Sequence, residues 1–427
     1  MTEKRGTLGL WTLTALVVAN MVGAGVFTTS GFALGDLGSP EIVLWAWLIG
    51  GLIALCGAVS YGALARLYPE SGGEYLYLSR VIHPCVGFIA GWISLLAGFT
   101  AAIAYAALTF VAYAFPFLSS PVMVNLVATG LITVTVGLHA FHLNQGARLQ
   151  NYAVAVKIVL MLGFCAYAVF GVGFTTWPGV VDSGRTIDPM GSFSPGAFAL
   201  TLMWISFSYS GFNAAVYLAD EVPSARVQIP RALVLGVVVA SLLYLVINTV
   251  FVFAPSLEAA RNQEDIAAVA ATAVGGEWLN LAIRMIVSLA LFTSVSAMVM
   301  TGPRVYAKMA DEGLFPARLR FAGEVPTVAV IAQGMLATVV VWIAGLQQLL
   351  SYLGFTLGLS AAATVASLFV AARSAPDRSQ KLPGYPWAPA LFVVATLSFA
   401  TLAAMVNPWE MLAAVLTMAS GGLLYLG

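Results

Sequence analysis

Along the chain, runs of apolar residues alternate with short polar breaks that hold nearly all the charge. A membrane helix needs about 20 mostly apolar residues, because each adds about 1.5 Å across a hydrocarbon core of about 30 Å. We read twelve such spans, at residues 8–34, 40–66, 85–114, 121–141, 149–173, 195–219, 231–254, 277–302, 326–345, 348–372, 387–407 and 409–426. A transmembrane barrel strand would be about 10 residues of alternating polarity, which these are not. The pattern predicts an all-α polytopic membrane protein with 12 transmembrane helices.

Two connections are longer than the rest. Residues 68–84 are polar and include Tyr68-Pro69-Glu70-Ser71-Gly72-Gly73-Glu74-Tyr75. Residues 256–276 place Leu257, Ala260, Ile266, Val269 and Ala270 where one face of a short helix would have them. The first joins spans 2 and 3 and the second joins spans 7 and 8. A shift of five spans brings them to corresponding places on opposite sides of the bilayer, as an inverted repeat requires. The expected organisation is 1–175 for the first repeat, 176–372 for the second, and 373–427 for two further spans.

Span 1 contains Asn20-Met21-Val22-Gly23-Ala24-Gly25-Val26-Phe27 near its middle. Each glycine weakens a helix by about 1 kcal/mol relative to alanine, and removes the side chain that would keep a ligand from the backbone. On its own, Gly-x-Gly in a membrane helix reads as close helix packing. Span 6, five spans later, contains Ser206-Phe207-Ser208-Tyr209-Ser210-Gly211-Phe212-Asn213. Interrupted helices at corresponding positions of two halves point to a midplane site. The start of a second half-helix offers free N–H groups to a carboxylate, and the end of a first half-helix offers C=O groups to an ammonium. Such a site suits an α-amino acid.

Composition agrees with a bilayer as solvent. The chain is 60% hydrophobic and 8% charged, where a soluble domain carries about 25% charged residues. With the N-terminus inside, the cytoplasmic segments hold Lys4, Arg5, Arg66, Arg80, Arg148, Arg226, Arg231, Arg304, Lys308, Arg318, Arg320, Arg373, Arg378 and Lys381. The other side holds Arg185, Arg261 and Arg284. The positive-inside rule then puts both termini in the cytoplasm and the protein in the inner membrane. Glu3-Lys4-Arg5 leads into a full-length span without an A-x-A-like site, so no cleaved signal is expected.

Several function classes drop out. Zero net charge argues against nucleic acid as a partner. Cys56, Cys85 and Cys165 imply no disulfide framework. Without a Walker A sequence, ATP is not expected as the driver, and no cofactor is implied. His139 and His142 are read as interfacial polar residues, not a metal site. No nucleophile–base pair marks an enzyme. Asp36, Glu41, Asp220, Glu221, Glu277 and Glu410 all lie near span ends, which argues against an Asp/Glu proton relay and against a pocket for a cationic side chain.

Val22-Gly23-Ala24-Gly25-Val26-Phe27 resembles the Gly-Ser-Gly-Ile-Phe signature of the amino acid–polyamine–organocation (APC) superfamily. Three further segments resemble that family in the same order: Pro69-Glu70-Ser71-Gly72-Gly73-Glu74-Tyr75, then Gly146-Ala147-Arg148-Leu149-Gln150-Asn151 with Lys157, then Arg304 to Pro316. The resemblance implies the leucine-transporter fold, a five-plus-five inverted repeat with helices 1 and 6 broken, plus two C-terminal helices. Ala24 stands where the family usually has a serine, so one hydroxyl that often helps hold the carboxylate is absent and the backbone donors remain.

Lys157 lies about eight residues into span 5. A charge at the centre of a membrane helix costs about 2.5–3.5 kcal/mol on insertion scales, so such a residue is a functional candidate. Family members without sodium dependence carry a lysine here, in place of the sodium ion that bridges helices 1 and 8. The resemblance makes Ser294, in Thr293-Ser294, its expected partner. Arg284, at a similar depth in span 8, is read as snorkelling to the external face.

The expected function is sodium-independent transport of neutral or aliphatic amino acids by alternating access, by exchange or with protons as a second partner. Gly23, Ala24 and Gly25 would hold the carboxylate. Carbonyls near Met21 and Val22, and those of Phe207, Ser208 and Ser210, would hold the ammonium. Phe207 and Phe212 would wall and gate the pocket, close to Asn213, while Gly98, Ala101 and Ala102 would leave room for the side chain. A cationic amino acid or polyamine exchanger remains open, because aromatic faces also hold cations. A non-transporting sensor is the alternative from another class.

Overall fold

The computed structural model describes residues 8–140, 146–183, 194–311, 313–321, 325–374 and 382–426, with side chains for all of these except 146–155, 181–183 and 308. Lys4, Arg5, His142, Arg185, Glu312, Arg378 and Lys381 lie outside the described residues, as do the side chains of Lys308 and of the Gly146–Asn151 motif, Arg148 included.

Among the described residues every regular element is helical. The chain begins with α1 (Leu10–Met21), α2 (Ala24–Leu37), α3 (Pro40–Leu67) and α4 (Gly73–Val81). Next come α5 (Pro84–Ala114), α6 (Pro121–Ala140) and α7 (Gly146–Ala166). Then follow α8 (Pro195–Ser208), α9 (Ala225–Phe253) and α10 (Ile266–Asp311). The last are α11 (Thr327–Ile343), α12 (Leu346–Ser374), α13 (Trp387–Ala404) and α14 (Pro408–Leu426). Among the described residues nine helices are long and apolar enough to cross a membrane, or ten when α1 and α2, bent by 43° at their break, are taken as one. Two shorter apolar helices, α8 and α11, stand where spans 6 and 9 were expected.

Helix starts follow local chemistry. Ser39 accepts a hydrogen bond from Ile42 N, and Pro40 follows at the first helical position. Ser194 does the same for Ala197 N ahead of Pro195. A side-chain oxygen there satisfies one of the four N–H groups that a helix leaves unpaired, and proline loses nothing at a position without a partner. Gly38, at φ 65°, ends α2 in the left-handed conformation.

The helices pack closely where side chains are small. Along the α3–α9 interface, a methyl added at Gly51 would lie 2.9 Å from Ser241 Oγ, and one at Gly62 would lie 3.0 Å from Pro230 Cβ. Glycine there lets two membrane helices approach without a polar bond between them.

Two segments cap the bundle at opposite ends. The 68–84 segment forms α4, and Ser71 Oγ accepts from Asp220 N at 2.9 Å, just before α9 begins. With 29 residues in α9, its far end lies about 43 Å away at about 1.5 Å per residue. The 256–276 segment sits at that far end. It is not one short helix but a turn, Leu257–Ala260, followed by the first part of α10. Gly275 and Gly276, the latter at φ 68°, kink α10 and let the part before the kink fold inward. Ile266, Ala267, Ala268, Ala270 and Ala271 are fully buried as a result.

Candidate functional site

The break in the first span falls at Val22-Gly23. Val22 has ψ 82° and Gly23 has φ −125°, ψ −159°, both outside the helical region. No side chain caps α2, so the N–H groups of Ala24, Gly25 and Val26 face the break as donors. Gly23 is open, with nothing nearer to an added methyl than Met21 O at 3.9 Å. Gly25 is closed: an added methyl would lie 2.5 Å from Ser208 Oγ and 3.0 Å from Ser208 Cα.

The second break follows α8 and runs from Tyr209 to Asn213 before a 3-10 turn, Ala214–Glu221. Gly211 has φ 93°, and an added Cβ would lie 2.9 Å from Asn20 O. Glycine is required on both counts: the left-handed backbone and the close approach of another main chain. The two breaks therefore touch each other.

One hydroxyl ties them. Tyr244, fully buried on α9, donates to Met21 O at 2.5 Å and Ser208 O at 2.9 Å, its single proton shared between the carbonyls. A deeper network fixes the same face. Trp47 Nε1 donates to Ser30 Oγ at 2.9 Å, and Ser30 donates to Asn248 Oδ1 at 2.5 Å. Thr29 and Ser208 join their hydroxyls at 3.1 Å.

Lys157 reaches in from α7. Its side chain is 4% exposed, and Nζ donates to Val22 O at 2.7 Å. That carbonyl has lost its helical partner at the break, so the ammonium takes the place of a backbone N–H. Ser294 donates to Ala290 O at 2.9 Å within its own helix, and Thr293 donates to the same carbonyl at 2.8 Å.

The aromatic residues divide. Phe207 meets the ring of Tyr105 edge-on at 5.3 Å, and Tyr105 shares a short hydrogen bond with Thr28. Phe212 turns the other way, edge-on to Tyr61 at 5.1 Å and close against Gly57 of α3. Gly98 and Ala101 belong to a π-helical stretch of α5, Ser94–Ala101, with Ala102 next. A methyl on Gly98 would meet only Ser94 Cβ, at 3.8 Å.

Asn213, at the end of the second break, donates through Nδ2 to Glu74 Oε1 at 3.2 Å. Glu74 also accepts from Tyr61 at 2.5 Å and from Ser360 at 3.1 Å. Burial pushes its carboxyl up from the usual range, and the bonds from Tyr61 and Ser360 pull it back. Arg284 does not snorkel. It forms a short ion pair with Asp265 and donates to Ala112 O and Tyr113 O at 3.2 Å each.

Sequence reasoning missed Tyr244, Tyr105, Glu74 and the Arg284–Asp265 pair. A tyrosine inside Leu242-Leu243-Tyr244-Leu245 carries no local signal. Glu74 did carry one: Gly72 and Gly73 sit at φ 147° and 56°, and a methyl on Gly73 would lie 2.3 Å from the Tyr217 ring. A double glycine before a carboxylate marked a segment pressed into the bundle.

The family model for "Amino acid permease" matches residues 8–419. The human cystine/glutamate transporter is 24% identical over 411 residues, covering 93% of this chain and 80% of the relative. The mouse large neutral amino acids transporter small subunit 2 is 25% identical over 384 residues, covering 87% and 71%. The mouse Asc-type amino acid transporter 1 is 24% identical over 377 residues, covering 85% and 70%.

Proposed function

This chain belongs to the amino acid permease family, and on that premise we propose that it is a sodium-independent secondary transporter of neutral or aliphatic L-amino acids. It works by alternating access, by exchange or with protons. The observation that carries the reading is the meeting of two helix breaks, joined through Tyr244, with the open N-terminus of α2 between them.

A substrate carboxylate takes the N–H groups of Ala24 and Gly25 beside the open Gly23, where the positive end of the helix dipole favours it. The ammonium needs carbonyl oxygens with a lone pair to spare, and each carbonyl has two. Met21 O already accepts from Tyr244 and from Gly23 N. Val22 O and Ser208 O each have one partner, and the ammonium goes there, with Phe207 O and Ser210 alongside. Phe207 and Tyr105 wall the substrate side chain; Phe212 supports the break from behind.

Lys157 supplies the positive charge that a sodium ion would otherwise bring between the helices. Its short bond to Val22 O favours a fixed strut. Ser294 completes the site once its hydroxyl turns from Ala290. We carry the twelve-span, five-plus-five arrangement into this reading. In it, α1–α2 and α8 are the matched broken helices, α4 faces the cytoplasm, and the 256–276 segment faces outside. Both termini are then cytoplasmic.

Uptake of labelled leucine and alanine into proteoliposomes, with a competition panel, tests the proposal. Neutral amino acids are expected to compete. Competition by arginine or putrescine alone would move the substrate to the cationic class, and the absence of both uptake and exchange would end the transport reading.

A further inference from the structure

The 68–84 segment lies outside the paired breaks, yet its one inward carboxylate is bonded to the second of them. Glu74 accepts three hydrogen bonds from three separate elements: Tyr61 on α3, Asn213 at the end of the second break, and Ser360 on α12. All three donors are neutral. The other titratable groups around it are also neutral, Tyr217 on the 3-10 turn and Tyr77 on its own helix. Charged groups on the packed elements are engaged elsewhere or make no ion pair with it: Arg80 is paired with Glu70, and Arg66, Asp220, Glu221 and Arg373 form none among the described residues. A partly buried carboxylate without a cation is expensive to keep charged, and a proton is the cheapest way to neutralise it.

We propose that Glu74 is a proton-binding site whose occupancy controls the hold of the 68–84 segment on the second helix break. The inference rests on the transport reading above and gives it a dependence on pH. A charged carboxylate accepts hydrogen bonds about twice as strongly as a neutral acid. Ionised, Glu74 clamps Asn213, and through it the segment that follows Gly211. When a proton binds, one carboxyl oxygen becomes an O–H donor. It then needs an acceptor, and the existing partners can supply one. Ser360 can turn its own proton toward a carbonyl of its helix, as serines in helices do. Tyr61 has Thr364 as a second neighbour for its hydroxyl. The bond to Asn213 weakens, and the break is freed to move. No covalent chemistry is involved: one proton leaves the water on the α4 side, binds an Oε, and returns to that same side when the clamp re-forms, so it sets the rate of exchange and does not itself cross the membrane. On the same segment the Glu70–Arg80 pair is 46% exposed.

Sequence reasoning placed the only candidate carboxylates near span ends and argued against a relay. Glu74 is a different case, a loop carboxylate folded back among the spans.

The test uses the full chain in proteoliposomes with labelled leucine. Exchange is measured in vesicles loaded with unlabelled leucine, at a series of pH values kept equal on both sides. Wild-type exchange is expected to rise several-fold as the pH falls. Glu74→Gln keeps a neutral group of the same shape, so exchange should persist at the low-pH rate while its response to pH disappears. Tyr61→Phe removes one donor to the carboxylate, which should raise the pH midpoint of exchange by about one unit. This second variant serves if Glu74→Gln does not fold. A pH response kept by Glu74→Gln, an unmoved midpoint in Tyr61→Phe, or a wild type whose exchange ignores pH overturns the proton site and leaves the transport reading standing. A wild type that neither exchanges nor takes up leucine overturns both.

Discussion

A methyl group added at Gly25 would lie 2.5 Å from Ser208 Oγ, whereas one added at Gly23 would meet nothing nearer than Met21 O at 3.9 Å. The same substitution should therefore do different things two residues apart. Gly25→Ala forces α2 and α8 apart, an overpacking that costs about 1–3 kcal/mol. Its melting temperature in detergent should fall by several degrees. Gly23→Ala should melt like the wild type, because its methyl enters open space. In uptake assays that methyl should raise KM about tenfold, the size of a misplaced contact worth about 1.4 kcal/mol. Equal melting losses for both variants would show that Gly23 is a packing residue too. Tyr244→Phe makes a third case. It leaves Met21 O and Ser208 O with one donor fewer in a buried place, a loss of about 1–3 kcal/mol. Both stability and exchange should fall together, since the same hydroxyl holds the two breaks.

At the level of elements, Lys157 is the bond between α7 and the end of α1. If the Lys157 ammonium stands in for a sodium ion, as proposed, replacing sodium with choline should leave initial uptake rates unchanged. Lys157→Ala should impair uptake far more than the yield of folded protein, and a steep sodium dependence in the wild type would defeat this assignment. Much of this element arrangement was legible in the sequence, because membrane helices advertise themselves by length and the breaks by paired small residues. Gly23 and Gly211 both proved to lie at the breaks, for reasons glycine alone can meet. What stayed hidden needed three dimensions. Phe207 and Phe212 look alike in sequence, but the left-handed Gly211 between them sends one ring to Tyr105 and the other to Tyr61. Ser294 looked available, and its own helix took the hydroxyl. Arg284 looked like a snorkelling residue because its partner, Asp265, is 19 residues earlier, across a kink that only Gly276 makes possible.

The whole molecule is closed at one end. Asn262 N donates to Gly31 O at 2.8 Å, and Tyr113 bridges Phe27 O and Ala267 N, at 2.7 and 3.1 Å. Gly31 and Gly35 admit the 256–276 segment against α2: a methyl on either would lie 1.9 Å from Gln263 O or Asn262 Oδ1. Beyond this seal lies a cavity of about 780 Å³, bordered by Phe115, Glu264, Asp265 and Trp342. On the other side of the breaks, Asn20 at the end of α1 is exposed and Tyr217 on the 3-10 turn is 40% exposed. The proposed alternating access requires the seal to open, and its bonds would then have to break in one step. Arg284 is the best placed to set that step. It joins α10 to α5 through two carbonyls and to the 256–276 segment through Asp265, with both ion-pair side chains only 16% exposed. A hydrogen bond to a charged group contributes about 1.5–3 kcal/mol, enough to bias a two-state closure about tenfold or more. Arg284→Gln should therefore favour the open form. A cysteine at Ala267, buried in the seal, reports on it in a background with Cys56, Cys85 and Cys165 replaced by serine or alanine. Its labelling by a membrane-impermeant maleimide should be slow with Arg284 present and about tenfold faster in Arg284→Gln. Exchanging the charges, Arg284→Asp with Asp265→Arg, should recover part of the protection, although the carbonyl contacts at Ala112 and Tyr113 would stay lost. Labelling that is equally slow with and without Arg284 would place the seal in Asn262 and Tyr113 alone, and the ion pair would then hold only the fold.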